Sequence, residues 1–142
     1  MDFFGLINAI RSYCDDNDIS LLYGNDAYAN ALADDSNLNN LILIADFTAV
    51  PDITGGRVVA CKYSGVLSLG RKCEDDTESS LDETPIQKYD RRLKELTTLL
   101  ADAIGDISID NELIISNLSF KYDLNKFDLN ADFVAAQITL DH

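Results

Sequence analysis

Asp128, Asn130 and Asp132 occupy the first, third and fifth positions of a calcium-binding loop, where carboxylate and amide oxygens would reach a hard cation. The sixth position, which needs glycine for the sharp turn, is Phe133, and the twelfth, which needs a bidentate glutamate, is Thr139. Both departures remove what such a loop requires. Alternation of Phe127, Leu129, Ala131 and Phe133 with the same acids describes the solvent face of a strand instead. Cys14, Cys61 and Cys73 contain no CxxC pair, and the single histidine is His142. Four close Cys or His ligands for zinc cannot be drawn from that set, so free buried thiols are expected. Nucleophilic catalysis lacks both a Gly-x-Ser-x-Gly elbow and a base placed to serve it. Gly55-Gly56 leads into strand-like residues rather than a helix N-terminus, so no phosphate cradle is expected. Asp34-Asp35 and Asp75-Asp76 read as solvated charge. No catalytic residue, metal or cofactor is therefore expected, and the chain does not read as an enzyme.

Charge carries more information. Twenty-five acids against 11 bases give a formal net charge of −14 at pH 7, with a sequence pI near 4.1. Such a field repels phosphate backbones and anionic membrane surfaces. Neither direct sequence-specific nucleic-acid binding nor membrane binding is expected. A basic protein remains an eligible partner, and an acidic inhibitor that mimics DNA is the alternative reading. Six of the ten residues 74–83 are acidic, a composition that predicts a mobile, solvated loop. Lys88, Arg91, Arg92 and Lys94 lie close together on a predicted helix and make up four of the 11 bases. The loop acids Asp75, Asp76 and Glu78 and the helix bases Lys88, Arg91 and Arg92 are thus candidate interface groups, able to join identical copies head to tail. The plain alternative is an ordinary helix face, with Asp90 and Glu95 balancing the bases.

The elements that would position these groups follow from periodicity. Phe3, Leu6, Ile7, Ile10 and Cys14 mark one face of an amphipathic helix, ended by Asp15-Asp16-Asn17-Asp18. Ile19–Tyr23 is a short strand, and residues 27–34 suggest a helical turn. Leu41–Phe47 reads as a strand buried on both faces, followed by a loop from Thr48 to Gly56 containing Pro51. Arg57–Leu69 is extended, with Val59, Cys61, Tyr63, Leu67 and Leu69 facing the core and Gly65 marking a bulge or bend. Thr84-Pro85-Ile86-Gln87 is a capping box that opens a helix of about twenty residues closed by Gly105. Glu112–Tyr122 places Leu118, Phe120 and Tyr122 on one face, Asp123–Lys126 is a turn, and Phe127–Leu140 returns. A change of parity predicts a bulge near Phe133 and Val134. At 142 residues the chain fits one α+β domain, an antiparallel sheet with two helices on one face in the order αβββαββ. The longest apolar run, Leu41–Ala45, is far short of a membrane span, and Met1–Gly5 lacks the basic region of a secretion signal.

This order resembles the tail-terminator and head-to-tail connector proteins of tailed bacteriophages. The likeness rests on the chain length, the opening helix Phe3–Cys14, the long second helix Pro85–Ile104 between two groups of strands, and the closing strand pair Glu112–Leu140. It implies a non-enzymatic virion protein, assembled with copies of itself into a ring, commonly a hexamer. In the neck of the particle it would also contact adjoining neck or tail proteins.

Overall fold

The computed structural model describes residues 3–24, 41–71, 85–88, 93–126 and 131–142. Leu6, Ile10 and Cys14 recur at four-residue intervals, and helix α1 (Phe3–Asp16) buries all three. It ends where short polar side chains begin. The Asn17 amide donates to the Tyr13 carbonyl at 2.9 Å, and Asp18 takes a left-handed φ of 55°. After it come β1 (Ile19–Tyr23), β2 (Leu41–Thr54), β3 (Arg57–Arg71), a short helix α2 (Pro85–Lys88), α3 (Lys94–Asp110), β4 (Ile114–Lys126) and β5 (Ala131–Asp141).

The five strands form one sheet in the order β1-β2-β3-β5-β4. The α+β class is as expected, but the sheet is mixed rather than purely antiparallel. β1 runs parallel to β2, with Ile19 opposite Leu41, whereas the β2–β3, β3–β5 and β5–β4 pairs are antiparallel. The seventeen residues between Tyr23 and Leu41 are long enough for a crossover, which a parallel pair requires.

One face of the sheet carries the core. Leu43, Ala45, Phe47, Cys61, Tyr63, Leu67 and Leu69 share it with Val134, Ala136, Ile138 and Leu140 of β5. Leu6, Ile10 and Cys14 of α1 and Leu96, Leu100, Ile104 and Ile107 of α3 pack onto that face in a single cluster. On the opposite face Ile42, Ile44, Ser68, Phe133 and Ala135 are also buried, while Thr48, Lys62, Ser64 and Gln137 are exposed.

Several expectations are corrected. The second helix is not closed by Gly105. Helix α3 continues to Asp110 because Ile107 and Ser108 extend its buried face. The cap is Asn111, whose side-chain amide donates to the Ile107 carbonyl at 2.8 Å, followed by Glu112 at a left-handed φ of 55°. The irregularity expected near Phe133 and Val134 lies in the β4–β5 ladder, where Asp123 is opposite Phe133 and Lys126 opposite Ala131, so that the extra residue falls on β4. β5 itself runs without a slip against β3. Both sides of the sheet are buried there, so apolar residues of both parities fit without a phase slip. Gly65 causes no register shift; the shift in β2–β3 lies at Asp52/Ile53. The Thr48–Thr54 segment is strand rather than loop, and β4 runs on through Asp123–Lys126 in place of a turn. The acidic loop 74–83, residues 27–34, Thr84 of the capping box, and Asp128 and Asn130 lie outside the described residues.

Two buried groups yield predictions. The Ser108 hydroxyl is buried with no hydrogen-bond partner among the described residues, in the company of Leu6, Ile10 and Ile138. An unsatisfied hydroxyl in such surroundings costs about 1–3 kcal/mol, so Ser108→Ala should raise stability by about 1 kcal/mol in denaturant titrations. Burial, reinforced by the neighbouring Asp15 carboxylate, pushes the Cys14 thiol from 9.0 up to about 12. Its proton is held more tightly in the fold than in the unfolded chain, so this contribution to stability is complete below pH 9 and is lost as pH rises towards 12. At neutral pH Cys14 should resist maleimide labelling in the folded protein and label fully once denatured, as peptide mapping would report.

Candidate interaction surfaces

The β2–β3 hairpin is longer than the sheet that holds it. Lys62 is opposite Asp141, the last residue of β5, and the His142 amide donates to the Cys61 carbonyl at 3.1 Å. Beyond that row β3 has only β2 as a partner among the described residues, and residues 51–60 form a two-stranded arm. Gly55 and Gly56, at φ 61° and 77°, make the two-residue turn at its tip, the type that matches the natural twist of a hairpin. Pro51 is tolerated because β2 has no second neighbour at this point among the described residues. Val59 is the extra residue of the bulge opposite Asp52 and Ile53. The arm leaves Val50, Ile53, Val58 and Val59 exposed, each by 55% or more.

A second apolar surface lies on β4, at one edge of the sheet. Leu118, Phe120 and Tyr122 are opposite Ile138, Ala136 and Val134, which places them on the helix-bearing side. They remain 38–43% exposed, and Ile115, opposite the buried Leu140, is 38% exposed. Lone apolar residues on a surface need no explanation, but a contiguous stripe on an edge strand is a surface that another chain can cover. Both surfaces are poor in acidic residues. Residues 114–122 hold no acid, and residues 47–62 hold Asp52 against Arg57 and Lys62, in a chain of net charge −14.

At the base of the arm, Pro51, Ala60, Lys62, Asp141 and His142 line an open groove of about 410 Å³. Lys62 Nζ and Asp141 Oδ1 are 3.9 Å apart, both well exposed, a pair that contributes little to stability. Tyr23 donates to the Phe47 carbonyl at 3.4 Å, and burial together with the Asp46 carboxylate raises its phenol above 10.0. Among the described residues no three His, Cys, Asp or Glu side chains are grouped to hold a metal ion, and no helix is long and apolar enough to cross a membrane.

Of the interface groups expected from sequence, Lys88 is the last residue of α2. Arg91, Arg92, Asp75, Asp76 and Glu78 lie outside the described residues. The arm is hard to recognise in the sequence because Pro51 and the glycine pair suggest a loop. The signal that could find it is apolar flanking of a Gly-Gly turn, with Val50 and Ile53 before it and Val58 and Val59 after. The β4 stripe is legible as a face, but its exposure follows from the place of β4 in the sheet.

No known protein family matches the chain, and no curated protein matches it in sequence.

Proposed function

We propose that this chain is a non-enzymatic structural subunit that works by binding copies of itself. It would act as a ring-forming head-tail connector or tail-completion protein of a phage virion, the proteins its element order resembles. The observation that carries the reading is the presence on one chain of two separate apolar, acid-poor surfaces, the arm and the β4 stripe. A repeating subunit needs two contact surfaces, one for each neighbour, and unlike surfaces generate rings or filaments. The sheet and its two helices supply a rigid wedge; the surfaces at its margin contact neighbouring copies and adjoining neck or tail proteins. Acids lining such a ring would keep passing DNA from sticking.

Native mass spectrometry of the full chain tests this. A discrete closed multiple of the 15.7 kDa subunit is expected. A solitary chain that competes with DNA for a basic protein would replace the reading with that of a DNA mimic. Two contacts can hold the ring, and a variant separates them. If the acidic loop and basic helix do so, Arg91→Glu with Arg92→Glu disperses the assembly; an unchanged oligomer removes those residues from the interface.

A further inference from the structure

We draw no further inference here: the strongest candidate, the pair of exposed apolar surfaces on the β2–β3 arm and the β4 edge strand, carries nothing because nothing in the structure shows what covers them.

Discussion

Replacing Gly65 by alanine is expected to cost about 3 kcal/mol or more, whereas the same replacement at Gly105 is expected to gain about 1 kcal/mol. A Cβ built on Gly65 would fall against the backbone of β2, meeting the Asp46 carbonyl and lying 2.7 Å from the Phe47 Cα. No side chain can rotate away to relieve this. The atoms in the way belong to the central β2–β3 ladder, which is continuous on both sides of the Phe47–Gly65 pair. Relief therefore requires separating the strand pair that supports the arm. At Gly105 the added Cβ meets nothing within 4 Å among the described residues, and the residue lies inside α3, where alanine is the better helix former. Urea titrations of the two variants should shift in opposite directions. Equal shifts would contradict the account of both positions.

Leu100→Ala should cost about 2–5 kcal/mol by the usual loss of transfer energy plus the cavity left behind. Leu100 is fully buried at the centre of α3 and belongs to the cluster that joins α1, α3 and the sheet. Its neighbour Leu99 is only partly buried, so Leu99→Ala should cost distinctly less. The comparison tests whether α3 is oriented as described. A rotation of the helix by one residue would reverse the order of the two effects, which thermal melts would reveal.

The core was largely legible because alternation and helical spacing report burial directly. Leu6, Ile10 and Cys14 announce α1, and Cys61, Tyr63, Leu67 and Leu69 announce the inner face of β3, whereas Val59, expected with them, is exposed on the arm. Local signals misled where tertiary context outweighed them. Gly105 resembles a helix stop, yet Ile107 lies one turn after Ile104 and packs into the same core, which carries the helix past it. The change of parity at Phe133 and Val134 reflects burial on both faces of the sheet at that end, and the register shift beside it falls on β4 rather than on β5. The parallel pairing of β1 and β2 is invisible to periodicity, because direction depends on the connection rather than on the strands. The candidate surfaces were the least legible. Leu118, Phe120 and Tyr122 have the pattern of core residues and become a surface only because β5 rather than β4 is inserted beside β3.

Sedimentation velocity of the unaltered chain, across protein concentration and at low and high ionic strength, tests the central claim most directly. The expected result is a concentration-dependent passage from the 15.7 kDa subunit to one discrete larger species, whose salt dependence reports whether charged or apolar contacts hold it. A single boundary at the subunit mass under every condition would contradict it.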